Sequence, residues 1–110
     1  MTELEKKQKA IIDHYGVDKQ LDMLVEECAE LIQAIQKYKR YKDIPGEGKA
    51  FDNLIEEIAD VENIIDQIKL LKLYDPVMAR VDIEEIKAKK VRRQLERIAL
   101  EKLAEAGFKD

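Results

Sequence analysis

Tryptophan is absent from this sequence, cysteine and histidine occur once each, and there are only two prolines and four glycines. Each scarcity excludes something. A lone Cys28 closes no internal disulfide, and one cysteine with one histidine (His14) cannot complete a closed zinc site. Few turn formers argue against many short strands and favour long helices. Aromatic residues make up only 5%, so Ile, Leu, Val and Ala must supply the packing. Charges interrupt every apolar run before it reaches the roughly 18 residues that suggest a membrane span. The opening MTELEKKQKAII has neither the apolar run nor the small-residue cleavage site of a signal peptide. The expected compartment is therefore the cytoplasm, which a single cysteine also suits. A basic surplus is missing too: 20 Lys and Arg stand against 24 Asp and Glu, a net charge of −4. Nucleic acid is not an expected partner. No Gly-rich phosphate loop and no Ser/His/Asp set is present.

What is present is acid and aliphatic residue in helical rhythm. The 110 residues, 45% apolar and 40% charged, suit one all-α domain over residues 1–110. A first helix is expected from about Glu3 to His14, ended by Tyr15-Gly16. Asp18 is a candidate N-cap for a second helix running to about Tyr41. Its apolar stripe (Leu21, Leu24, Val25, Cys28, Ile32, Ile35) is expected to face the core. Lys42 to Lys49, with Pro45-Gly46 and Gly48, reads as a turn. A third helix follows from about Ala50 to Leu73, with its stripe at Phe51, Leu54, Ile55, Ile58, Val61 and Ile65. Ile64, Ile68 and Leu71 form a second apolar row on a rotated face, a surplus that one short chain would hide in a homo-oligomer. Glu62 sits oddly inside the first stripe. Asp75-Pro76 and Asp82 with Glu85 are two further start signals, so Pro76 to Ala104 is either one helix or a short one before a long one. Gly107 is a C-terminal stop. The expected fold is an all-α bundle built on a central antiparallel hairpin.

The hairpin carries a repeat. Leu24 to Leu31 read LVEECAEL, and Leu54 to Val61 read LIEEIADV. At about 100° per residue, Glu27 and Glu30 lie side by side at the edge of the apolar stripe, and Glu57 and Asp60 repeat the arrangement. Counted from the Pro-Gly turn, the two pairs differ in level by about four residues, or about 6 Å of rise, so both can face one cleft. One such pair on a Glu-rich helix is usually just solvated surface. The duplication beside the core stripe argues for more. Four carboxylates crowded together repel one another and raise each other's pKa unless a cation joins them. Oxygen-only ligands suit Mg²⁺ or Mn²⁺.

The motifs Glu26-Glu27-Cys28-Ala29-Glu30 and Glu57-Ile58-Ala59-Asp60 resemble those of the MazG-like nucleoside triphosphate pyrophosphohydrolases. The resemblance extends over YGVDKQLDMLVEECAELIQAI, NLIEEIADVENIIDQI and, more loosely, IKAKKVRRQLERI, about Tyr15 to Ile98. It implies an all-α fold assembled as a homodimer or homotetramer. It also implies Mg²⁺-dependent cleavage of a nucleoside triphosphate to the monophosphate and pyrophosphate. Glu27, Glu30, Glu57 and Asp60 would be the metal ligands. Glu26 and Glu56, each one position away, are candidates to orient the attacking water. Lys90 and Arg93, with Arg97 on the same helix face, are candidate phosphate contacts, and Gln20 is a candidate for the base. Lys42 and Lys49 are alternative phosphate donors. Two other classes compete. A di-iron carboxylate protein would want Glu-x-x-His pairs, which this chain lacks, and a catalytically silent helical interaction module would use the apolar surplus alone.

Overall fold

The computed structural model describes residues 1–80 and 82–107. Among them are four α-helices and no strand: α1 (Glu3–Tyr15), α2 (Val17–Tyr41), α3 (Glu47–Lys69) and α4 (Ile83–Glu105). Contacts divide the chain into two compact units, Met1–Tyr74 and Asp75–Asp110.

In the first unit, Thr2 caps α1 through a reciprocal capping box with Glu5, an arrangement worth about 1 kcal/mol to the helix end. Gly16 alone joins α1 to α2. Its N–H donates to the Ile12 carbonyl at 2.8 Å, and its own carbonyl accepts from Gln20 N–H at 3.2 Å. At φ 89°, ψ 160° its backbone lies in a region essentially reserved for glycine. Gly16 thereby occupies the N-cap position of α2, and Asp18, the residue expected there, lies inside the first turn. The α2–α3 turn is also shorter than expected. It closes at Gly46 (φ 101°), where a side chain would meet the Tyr41 ring at 3.0 Å. The helix then starts at Glu47 and takes in Gly48 and Lys49. At its other end α3 stops at Lys69, and Leu70–Leu73 tighten into a 3₁₀ turn. This is a common way to finish a helix whose last carbonyls lack partners.

The α2–α3 hairpin dominates this unit, with α1 laid mainly against α3. Ile12, Ala34, Ala50, Val61, Ile64, Leu70 and Leu71 are the buried apolar residues. The facing helices meet along Gln20, Leu24, Glu27, Leu31 and Ala34 on α2 and Ala50, Leu54, Glu57, Val61 and Ile64 on α3, all buried or half-buried. The small side chains of Ala34 and Ala50 let the backbones approach. That line is rotated by about 90° on α2 and about 70° on α3 from the apolar stripes expected to form the core. On α2 the expected stripe is largely outside: Val25 is 70% exposed, Ile32 61% and Leu21 44%, while Leu24 and Cys28 are half-buried. On α3, Ile55 is 47% exposed and Phe51, Ile58 and Ile65 are exposed as well. The row thought surplus, Ile64, Ile68 and Leu71, turns inward instead. Of the stripe expected to face the core, Val61 is buried and Leu54 half-buried, and Glu62 stands among its outer members, exposed.

Two polar ties, one part-buried and one buried, join the helices. Gln8 donates to Asn63 Oδ1 and Asp66 Oδ2, both at 3.2 Å, and Gln20 donates to Gln67 Oε1 at 2.8 Å. Gln8, Gln20 and Gln67 are all buried. Replacing Gln20 by Ala leaves the Gln67 oxygen without its partner in the interior, so the urea midpoint should fall by the equivalent of about 1–3 kcal/mol. Replacing both glutamines by Leu should restore most of that loss. An unchanged midpoint for the single variant would show that this bond contributes nothing to stability.

In the second unit, the Asp75 carboxylate accepts from Val77 N–H (2.9 Å) and Met78 N–H (3.4 Å), and a short 3₁₀ turn, Met78–Arg80, follows. Asp82 caps α4 by accepting from Glu85 N–H at 3.1 Å. The region after Pro76 is therefore a short helical turn before a long helix. The long helix ends just before Gly107 (φ 87°). Lys90, Arg93 and Arg97 are exposed along α4, as are Val91, Leu95 and Ile98.

Candidate metal centre

The level of the two acidic pairs follows from where the helices begin and end. Glu30 stands eleven residues before Tyr41, the end of α2, and Glu57 stands ten residues after Glu47, the start of α3. The offset expected from sequence shrinks to one residue because α3 starts earlier than Ala50. Antiparallel pairing then brings the octets together: carboxylate oxygens of Glu27, Glu57 and Asp60 all lie within 4.8 Å of one another. Glu30 is not one of these three; it stands one turn from Glu27 on α2, and its charge bears on both the Glu27 and the Glu57 carboxyls.

Burial and charge act in the same direction here. The Glu27 and Glu57 carboxyls are both pushed above the usual carboxylate range, first by burial and then by the negative charges around them. For Glu27 these are Glu30, Asp60 and Glu57, and for Glu57 they are Glu30, Asp60 and Glu56. One oxygen of each, Glu27 Oε2 and Glu57 Oε2, is shut off from solvent with no hydrogen-bond partner. An unmatched buried carboxylate oxygen is costly, and both belong to residues of one carboxylate cluster. A divalent cation held there would offset the crowded charge. The donors are oxygens only, which suits a hard ion such as Mg²⁺ or Mn²⁺ and not zinc.

Over residues 16–97 the sequence matches the family model for the MazG nucleotide pyrophosphohydrolase domain. The chain belongs to the MazG family. No curated protein and no solved structure matches it. The MazG match takes in both acidic octets and most of α4, and its family is one of hydrolases that act on nucleotides. Among the described residues no helix is long and apolar enough to cross a membrane.

The other residues singled out from the MazG-like sequence fall in different places. Glu26 and Glu56 are exposed on the flanks of the hairpin. Gln20 is buried, with its amide nitrogen given to Gln67. Lys90 and Arg93 belong to the second unit. Sequence reasoning missed the continuation of the acidic site along the hairpin. An open cleft of about 450 Å³ is lined by Glu30, Gln33, Ala34, Lys37, Asn53 and Glu57. The signal was available: Gln33 and Lys37 lie three and seven residues after Glu30, on its helix face.

Proposed function

We propose that this protein is a Mg²⁺-dependent nucleotide pyrophosphohydrolase that cleaves a nucleoside or deoxynucleoside triphosphate to the monophosphate and pyrophosphate. The observation that carries the reading is the pair of sealed, unpartnered oxygens on Glu27 and Glu57, two members of the three-carboxylate cluster that they form with Asp60 in a MazG domain. Glu27, Glu30, Glu57 and Asp60 would hold the metal. When bound, the cation offsets the polyphosphate charge and lowers the pKa of an attacking water. The chain's own contribution is positional. The facing helices bring Glu27, Glu57 and Asp60 together, and Glu30 stands one turn from Glu27 on α2. Glu26 and Glu56 are the carboxylates available to orient water at the rim. The protein would act in the cytoplasm, as a single MazG domain spanning the chain.

The assembly belongs to the same proposal. The outer apolar face of α2 and α3 fits a second copy of itself in a homodimer or a homotetramer. A two-fold assembly sets the same patch of both copies together, and so large an exposed apolar surface usually marks an interface. A catalytically silent interaction module would also explain that face, but it leaves the clustered acids unexplained.

The deciding assay incubates the protein with a panel of NTPs and dNTPs and Mg²⁺, and measures pyrophosphate and orthophosphate separately. Pyrophosphate release from at least one substrate is expected. Orthophosphate alone would mean that a different bond is cut, and no turnover across the panel would favour the interaction module. Lys90 and Arg93 are proposed as phosphate contacts, because guanidinium and ammonium groups suit polyphosphate and α4 is part of the family match. Arg93→Ala should then lower kcat/KM about tenfold, the scale of one charge-assisted hydrogen bond, and leave Mg²⁺ affinity unchanged. Wild-type kinetics for both Lys90→Ala and Arg93→Ala would make the α4 basic row ordinary solvated surface.

A further inference from the structure

The cleft that continues from the acidic cluster has a direction. Glu30 and Glu57 form its acidic end. Gln33 and Lys37 follow on α2, and Asn53 faces them from α3, so the groove runs from the carboxylates toward the α2–α3 turn. Buried Ala34 lines it between the two helices. Lys37 lies seven residues, about 10 Å of rise, beyond Glu30. Among the described residues it is the one cation lining the cleft, and it makes no ion pair with them. Its four-carbon stem can carry the ammonium back along the groove toward the acids.

A lysine left unpaired beside a carboxylate cluster has an electrostatic reason to fold back onto Glu30. In this cleft it does not make that pair, and its three donors stay available. Gln33 and Asn53 add amide donors on the two walls. The groove therefore changes from acceptors at one end to donors at the other. A substrate with metal-bound oxygens at the acidic end and further anionic oxygens beyond them would match that order. A nucleobase placed there would leave the ammonium facing a neutral ring.

We propose that Lys37, assisted by Gln33 and Asn53, binds the pyrophosphate end of the substrate, so that the nucleoside end points away from the α2–α3 turn. The inference rests on the pyrophosphohydrolase reading and adds to it the polarity of the bound substrate. It also gives the two products different dependences on Lys37: pyrophosphate should need it, and the nucleoside monophosphate should not.

The test is calorimetric titration of wild type and Lys37→Ala with pyrophosphate, and separately with a nucleoside monophosphate, both with Mg²⁺ present, alongside titration with Mg²⁺ alone. Lys37 is exposed on a helix, so the variant should fold, which circular dichroism checks. The expected result is pyrophosphate affinity weakened at least about tenfold, with monophosphate and Mg²⁺ affinities within about twofold of wild type. Lys37→Arg should recover most of the pyrophosphate affinity, since it keeps the charge. Unchanged pyrophosphate binding in Lys37→Ala overturns the proposal, and so does loss confined to the monophosphate, which would place the nucleoside at this end. If wild type itself binds neither Mg²⁺ nor pyrophosphate, the parent reading fails and the orientation falls with it. The two failures are therefore distinguishable.

Discussion

Replacing Glu57 by Gln should abolish pyrophosphate release and, in the presence of EDTA, raise the melting temperature. The same is expected of Glu27→Gln, and activity loss is expected of Glu30→Gln and Asp60→Asn. Each change removes a charge and almost no volume. Loss of a direct ligand should cost at least about a hundredfold in kcat/KM, above the ten- to hundredfold typical of partners one shell further out. The stability effect has the opposite sign because the folded protein works against these charges. Glu27 and Glu57 are raised by burial first and by their acidic neighbours second. The unfolded chain releases both protons near the ordinary glutamate value of 4.5, while the folded chain holds them to higher pH. Over that interval the unfolded state binds fewer protons, so metal-free stability falls as pH rises through it, and the full cost persists at neutral pH. A glutamine cannot ionise and escapes the cost. Mg²⁺ should reverse the order: it binds the folded wild type and raises its melting temperature, and it should do little for Glu57→Gln. Melting curves with EDTA and with Mg²⁺ at pH 7 read both effects. A lower melting temperature for all four variants in EDTA would make these acids part of the structural framework rather than a metal site.

Placing Asp at Ile32 or Ile55 should convert the oligomer to monomer. Both side chains stand on the outer face of the hairpin, 61% and 47% exposed, so neither change opens a cavity in the chain's own core. In a two-fold assembly each substitution enters the interface from both subunits. An unpaired charge buried at such a contact costs about 3–5 kcal/mol, which corresponds to a dissociation constant weakened by roughly two to four orders of magnitude. Light scattering at micromolar concentration should therefore show a monomer with unchanged helical circular dichroism. A wild type that is itself monomeric at that concentration refutes the assembly. Variants that stay oligomeric would put the contact on another surface. The interior pair Gln20 and Gln67 provides the contrast, since losing that bond should lower stability without changing the oligomeric state.

Much of this protein was already determined along the chain. Scarce glycine and proline with aliphatic spacing dictate helices, Gly16 and Pro45-Gly46 place the joints, and Asp82 and Gly107 bound the last helix. The repeated octets mark the acids, because a 3.6-residue period puts Glu27 beside Glu30 and Glu57 beside Asp60 whatever the helices pack against. The level at which the octets meet needed the tertiary structure, since it depends on α3 starting at Glu47 rather than Ala50, a difference of one turn that local propensity does not resolve. Which apolar face is internal also needed it. On α2 and α3 the aliphatic residues cover about half of each helix's circumference, and periodicity reports that such an arc avoids water, not what covers it. Ala34 and Ala50, both 2% exposed, mark the answer. They share a line with Leu31 and Val61 that faces inward, while Val25, Ile32 and Ile55 face outward. The same rotation carries Glu27 and Glu57 half under the contact, where one oxygen of each loses both water and partner. Their unusual chemistry is therefore a product of packing: the sequence places the carboxylates side by side, and the approach of the two helices excludes the solvent.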